Sequence, residues 1–160
     1  VDEGRAIADS TAIAHYLERK MPTPPLWPAG VAGARAFELT AMCDSVNTML
    51  IDLGMRYVSL NEHPNFGAVR EQLVGRVQRA LERLAVMVDE RDIGSDFLCG
   101  ARWSGGDIAV YTTVAWLESL PARAEVFAPA RQILSLGWSL PSALRGWAER
   151  HAQRQDVLAL

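Results

Sequence analysis

The chain has 160 residues, of which 49% are hydrophobic and 22% are charged, and its formal net charge is −3 at pH 7. These are the proportions of a globular domain with a sizeable core, and they exclude a disordered chain. The negative net charge gives no electrostatic basis for binding nucleic acid or an anionic membrane surface. No stretch is long and apolar enough to span a bilayer, and no signal-peptide pattern is present. Cys43 and Cys99 are distant in sequence, so we expect two buried free thiols in a cytoplasmic protein.

Residues 1–20 predict a turn, a short strand and a helix. The strand is the apolar run from Ala6 to Ala8, and the helix opens at Asp9 and Ser10, both of which are good N-cap residues. A single short strand has no partner for its ladder hydrogen bonds, and the sequence contains no convincing second strand. We therefore expect residues 1–20 to be the last piece of a sheet-containing domain whose beginning is absent.

Residues 21–29 are rich in proline and predict an extended interdomain linker, which Leu26 and Trp27 anchor on the neighbouring helices. From residue 30 to residue 160 the apolar spacing is helical, which predicts an all-helical domain. The predicted helices cover about 32–57, about 65–89, a central segment that begins after Ser104, a shorter helix within 121–137, and 141 to about 154.

The central predicted helix is apolar on nearly every face, because no charged residue occurs between Asp107 and Glu118. Such a helix is typical of the middle of a domain, with other helices packed about it. Ser104 is a good N-cap, and Asp107 three residues later completes an acidic variant of the capping box. We interpret this pair as a determinant of folding and not of catalysis.

The long helix near 32–57 carries few charges, since Asp44 and Asp52 are the only charged residues between Glu38 and Arg56. A face of this kind can be the wall of a cleft or a subunit interface. It can also be part of a core helix whose aspartates simply reach solvent. The sequence leaves these alternatives open.

Motifs for chemistry are otherwise absent. The three histidines lie on different predicted elements without metal-ligand spacing, and no GxSxG, P-loop or GxGxxG motif occurs. We therefore predict no metal site. What remains is Asp9 and Ser10 at a helix start, where the Ser10 hydroxyl and the first N–H groups suit a carboxylate and Asp9 suits an amine. The pair fits the zwitterionic end of an amino acid or peptide, and it also fits an ordinary helix cap.

Three segments, in this order, resemble glutathione S-transferases. EGRAIADSTAIAHYLERKMPTPPLWP is similar to the end of the family's thioredoxin-like domain and the linker after it. FLCGARWSGGDIAV resembles the start of the family's central helix, and LPSALRGWAERHAQRQDV resembles a late helix of the pattern P-x-L-x-x-W-x-x-R. There are departures, because Asp9 stands where glutamate or glutamine is commoner and Gln155 where proline is frequent. The early thioredoxin-like segment, which carries the family's catalytic Ser, Tyr or Cys, has no counterpart in the sequence.

The resemblance implies a mainly α fold. Residues 30–160 would form a helical bundle of the glutathione S-transferase C-terminal type, preceded in 1–20 by the last strand and helix of a thioredoxin-like α/β domain. The intact protein would be a homodimer that conjugates the glutathione thiolate to an electrophilic small molecule without a metal. No catalytic residue is expected in this chain, which alone should be inactive.

The same resemblance implies the site residues. Asp9 and Ser10 would bind the γ-glutamyl end of glutathione, and Asp44 would reach its amine across the dimer. The residues expected to line the electrophile pocket are Asn47, Thr48 and Ile51.

Two other interpretations stay open. The chain could be a non-catalytic dimerisation or docking module with a glutathione-transferase-like fold, and the presence of Ser10 favours glutathione binding over this alternative. It could also be an unrelated helical bundle, which would leave the lone strand and the proline-rich linker without an explanation.

Overall fold

The computed structural model describes residues 2, 4–60, 62–91 and 94–152, with only the backbone described at 56–59. Within these ranges the chain forms helices and no strand, which confirms the predicted mainly α bundle. No described helix is long and apolar enough to cross a membrane. The helices are α1 Ser10–Lys20, α2 Val31–Leu60, α3 Phe66–Asp89, α4 Gly105–Ala124, α5 Ala128–Ser135 and α6 Ser142–Ala152.

Helix α4 lies at the centre of the bundle. It packs against α2, α5 and α6, while α3 covers α2 and α6. Its buried stripe runs from Val110 to Leu120 at helical spacing, with each apolar side chain of the stripe at most 2% exposed. Thr112 and Glu118 are exposed on another side of the helix. The central position is therefore as predicted, but α4 is not buried on every face.

The two cysteines are free and buried, as predicted. Burial raises the pKa of the Cys43 thiol to about 12 and that of the Cys99 thiol to about 11. Thiols with such a high pKa stay protonated at neutral pH and are poor nucleophiles. Both side chains therefore act as small apolar residues in the core.

The start of α4 is fixed by a reciprocal capping box. The Ser104 hydroxyl oxygen accepts a hydrogen bond from the Asp107 N–H at 3.2 Å, and Asp107 Oδ2 accepts from the Ser104 N–H at 2.9 Å. Asp107 Oδ1 also accepts from the Leu98 N–H at 2.7 Å. Ser104 and Asp107 are 0% exposed. A buried carboxylate is tolerated only when it is fully hydrogen-bonded, and this one accepts from two backbone N–H groups and a hydroxyl.

Gly106 lets α4 approach α2 closely. A Cβ at this position would lie 2.8 Å from the Cα of Ala36 and 3.1 Å from its carbonyl oxygen. Backbone atoms cannot yield as a flexible side chain can, so the position requires glycine for packing reasons.

The structure departs from one local prediction and confirms another. Ala6 to Ala8 do not form a strand, because no neighbouring strand among the described residues pairs with them, although the preceding turn is closed by hydrogen bonds between Asp2 and Arg5. The shorter helix predicted within 121–137 is confirmed as α5, Ala128–Ser135, whereas Pro121 lies within the last turns of α4. Leu120 beside it is buried, so packing outweighs the cost of proline, roughly 3 kcal/mol in a helix interior.

Replacing Asp107 by alanine would leave the buried N–H groups of Ser104 and Leu98 without their acceptor. We expect Asp107→Ala to lower the free energy of unfolding by at least about 2 kcal/mol, measured by urea unfolding. Refolding should also slow if the box forms in the transition state. Asp107→Asn, which keeps one oxygen acceptor, should lower the free energy of unfolding by less. An unfolding midpoint and refolding rate equal to those of the unmodified protein would contradict this role.

A matched pair of glycine variants tests the close approach of α4 to α2. Gly106→Ala should destabilise the protein by about 1–3 kcal/mol, because the added Cβ overlaps the backbone of α2. Gly67→Ala is the control, since nothing lies within 4 Å of its Cβ position in α3. Alanine there should be neutral or stabilising by up to about 1 kcal/mol. Equal thermal midpoints for the two variants would be inconsistent with this packing.

Candidate functional site

The candidate site lies where the start of α1 and the linker meet α2 and α4. These elements enclose a cleft of about 210 Å³. Its surface combines hydroxyl groups, one carboxylate and apolar side chains. The lining residues are Ser10, Thr11, Ala14, Leu26, Trp27, Thr40, Asp44, Gly105, Ile108, Ala109 and Thr112. Two residues predicted from the sequence, Ser10 and Asp44, thus share one cleft.

Asp9 is the N-cap of α1. Its Oδ1 accepts a hydrogen bond from the Ala12 N–H at 3.0 Å. Its φ of 78° lies in the left-handed region, which strains a residue other than glycine by roughly 1–3 kcal/mol. The capping bond turns the Asp9 carboxylate over the first turn of α1, next to Ser10.

Ser10 is the first residue of α1 and is exposed on the wall of the cleft. The N–H groups of Ser10 and Thr11 have no acceptor within the helix, because they belong to its first turn. The helix dipole adds a partial positive charge at the same end. This end of α1 is therefore suited to receive a carboxylate.

Asp44 lies across the cleft from α1, on an exposed face of α2. Its Oδ2 accepts a hydrogen bond from the Thr11 hydroxyl at 3.5 Å. The resemblance implies an Asp44 that reaches a ligand across a dimer, whereas the structure places it beside Ser10 of its own chain. A negative side chain and a positively polarised helix end thus line the same small cleft.

The three residues expected in an electrophile pocket do not share one environment. Asn47 turns toward α4, where its Nδ2 donates to the Thr113 hydroxyl at 3.1 Å. Thr48 and Ile51 are exposed on α2, and the side chain of Ile51 is 50% exposed. Neither they nor Asn47 are among the residues that line the cleft beside Ser10. Their role in binding an electrophile stays a prediction.

The linker supplies one wall of the cleft and is held from two sides. Glu18 of α1 accepts hydrogen bonds from the N–H groups of Leu26 and Trp27, at 2.7 and 3.4 Å. The Trp27 ring stacks on His15 at 4.4 Å between ring centroids. The prediction that Leu26 and Trp27 anchor the linker is confirmed, but the sequence analysis missed Glu18. No periodicity indicates that contact, because it depends on the path of the linker.

Few of the side chains around the cleft can do chemistry by themselves. Asp44 can hold a cation, and Ser10, Thr11, Thr40 and Thr112 offer hydroxyl groups. No group of three or more potential metal-ligating side chains lies together in the described part of the chain. The arrangement is suited to binding a small molecule with a carboxylate and an amine.

Comparison with known proteins identifies this architecture. A profile of the family described as glutathione S-transferase, C-terminal domain, matches residues 67–150. A crystal structure of a glutathione S-transferase from Methylobacterium radiotolerans, in complex with glutathione sulfonate, superimposes with a TM-score of 0.72. The alignment covers 99% of this chain and 68% of that chain, at 22% sequence identity. The search of curated proteins found no significant match.

The family match covers more than half of the chain, and it includes α4 with its capping box and nearly all of α3 and α6. The solved structure adds agreement in fold over almost the whole chain, including α1 and the linker. By these two findings the chain belongs to the glutathione S-transferase family.

Proposed function

We propose that this chain provides the γ-glutamyl binding site of a glutathione transferase, an enzyme that joins the glutathione thiol to an electrophilic small molecule. The observation that supports this proposal is the cleft shared by Ser10 and Asp44. The similar solved structure is itself a glutathione S-transferase bound to a glutathione derivative.

The chemistry of the cleft matches the γ-glutamyl group. That group carries an α-carboxylate and an α-ammonium on one carbon atom. The carboxylate would bind the Ser10 hydroxyl and the first N–H groups of α1. The ammonium would bind Asp44, with Asp9 adding a second carboxylate at the rim of α1.

In the proposed reaction the glutathione thiol loses its proton, and the sulfur forms a bond to an electrophilic carbon while the leaving group departs with its electron pair. We assign no residue of this chain to activating the thiol. Thr48 and Ile51, exposed further along α2, would contact the electrophile. The proposed working unit is a homodimer.

Titration calorimetry of the full-length protein with glutathione sulfonate tests the site directly. Ser10→Ala and Asp44→Asn should each weaken binding about tenfold or more, because each removes a polar contact to a charged group. The matched controls are Ser135→Ala in α5 and Asp89→Asn at the end of α3, which should bind like the unmodified protein. No binding by the unmodified protein, or equal binding by all variants, would refute the proposal. Binding without conjugation of a test electrophile would instead support a docking module.

Asp9→Asn separates the capping role of Asp9 from its charge. Asparagine is as good an N-cap as aspartate and tolerates a positive φ, so the thermal midpoint should stay within about 1 °C. The loss of a negative charge beside the ligand ammonium should weaken glutathione sulfonate binding by severalfold. A large drop in the thermal midpoint with unchanged affinity would mean that Asp9 serves only the helix.

A further inference from the structure

Helix α1 carries Asp9 and Ser10, yet the bundle holds it only at its margin. None of the residues of α1 is buried. Its position relative to α2 and α4 therefore depends on a small number of specific contacts and not on core packing. These contacts set the distance between the two walls of the cleft, one formed by α1 and the other by α2 and α4.

Glu18 makes two of these contacts, beside the stacking of His15 on Trp27 and Phe37. Its two carboxylate oxygens accept from two consecutive backbone N–H groups, those of Leu26 at 2.7 Å and Trp27 at 3.4 Å. Hydrogen bonds to a charged acceptor are about twice as strong as neutral ones. Glu18 thus attaches the C-terminal half of α1 to the linker.

The linker in turn is attached to the bundle at the same two residues. The Leu26 carbonyl accepts the N–H of Gly105, the first residue of α4, at 2.7 Å. The Trp27 ring stacks on Phe37 of α2 as well as on His15, with ring centroids 5.2 Å apart for Trp27 and Phe37. A continuous path of contacts therefore runs from Glu18 through Leu26 and Trp27 to both helices of the opposite wall.

Because α1 is a single helix, its attachment at Glu18 also affects the position of Ser10 at its other end. Ser10 lies eight residues before Glu18, which is about 12 Å along the helix axis. A small tilt of α1 at the Glu18 end therefore displaces Ser10 relative to Asp44. The direct contact at that end is the 3.5 Å hydrogen bond from Thr11 to Asp44, which is too long to hold the helix alone.

We propose that Glu18 is a positioning residue: by holding the linker against α1 it sets the spacing between Ser10 and Asp44 that a zwitterionic ligand must bridge. This inference rests on the proposed function, because the spacing has a consequence only if one ligand engages both residues. Glu18 itself does not line the cleft and would not touch the ligand.

The test uses Glu18→Ala and Glu18→Gln in the full-length protein, with Glu71→Ala, an exposed residue of α3, as the control. Hydrogen exchange followed by mass spectrometry should show faster exchange in α1 and residues 21–29 of Glu18→Ala, with α4 unchanged. Glutathione sulfonate should bind Glu18→Ala about tenfold more weakly. Glu18→Gln, which keeps one oxygen acceptor, should recover part of both effects, and Glu71→Ala should change neither.

A double-mutant cycle with Asp44→Asn distinguishes positioning from general destabilisation. If Glu18 acts through the spacing, its loss should weaken binding less once Asp44 has already lost its charge. Full additivity of the two losses, or unchanged affinity in Glu18→Ala, would overturn the proposal. If the unmodified protein does not bind the ligand, the proposed function fails separately. Hydrogen exchange then tests the attachment alone: unchanged exchange in α1 of Glu18→Ala would overturn it, and faster exchange would support Glu18 as the residue that holds α1 against the linker.

Discussion

The buried carboxylate of Asp107 is the interaction on which the rest of the structure depends. It fixes the residue at which α4 begins, because its oxygens accept from the N–H groups of Ser104 and Leu98. With the start set there, Gly106 falls where α4 crosses the backbone of Ala36. The Gly105 N–H takes no part in the capping box and instead donates a hydrogen bond to the Leu26 carbonyl of the linker. One turn of helix thus organises both the core and the cleft.

The two walls of the cleft differ in how firmly they are held. The wall formed by α2 and α4 is continuous with the core, so its geometry is set by close packing. The wall formed by α1 has no buried residue and is held by hydrogen bonds and stacked rings. Loss of one core side chain would weaken packing throughout the bundle. Loss of one contact of α1 would chiefly change the position of Ser10. The geometry of the cleft and the stability of the bundle therefore depend largely on different residues.

Much of the fold could be predicted from the sequence because its signals are local. Apolar spacing indicated the helices, and the types of residue at 9, 10, 104 and 107 indicated their starts. The features that could not be predicted depended on contacts distant in sequence. The apolar run from Ala6 to Ala8 has strand composition but no strand to pair with among the described residues. Asn47 carries a polar side chain like its neighbour Thr48, and only the position of Thr113 turns it inward. The contact of Glu18 with the linker has no sequence signal.

The charges around α1 also bear on which ligands the cleft can select. The helix end favours an anion, but the carboxylates of Asp9 and Asp44 lie around the same first turn, each bonded to a residue within it. A simple carboxylate would therefore meet attraction from the helix end and repulsion from two aspartates. A simple amine would bind the aspartates but would leave the N–H groups of Ser10 and Thr11 to water. A ligand that carries both groups on one carbon atom satisfies both requirements, so the proposed site would select the amino-acid end of a molecule over anions or amines in general.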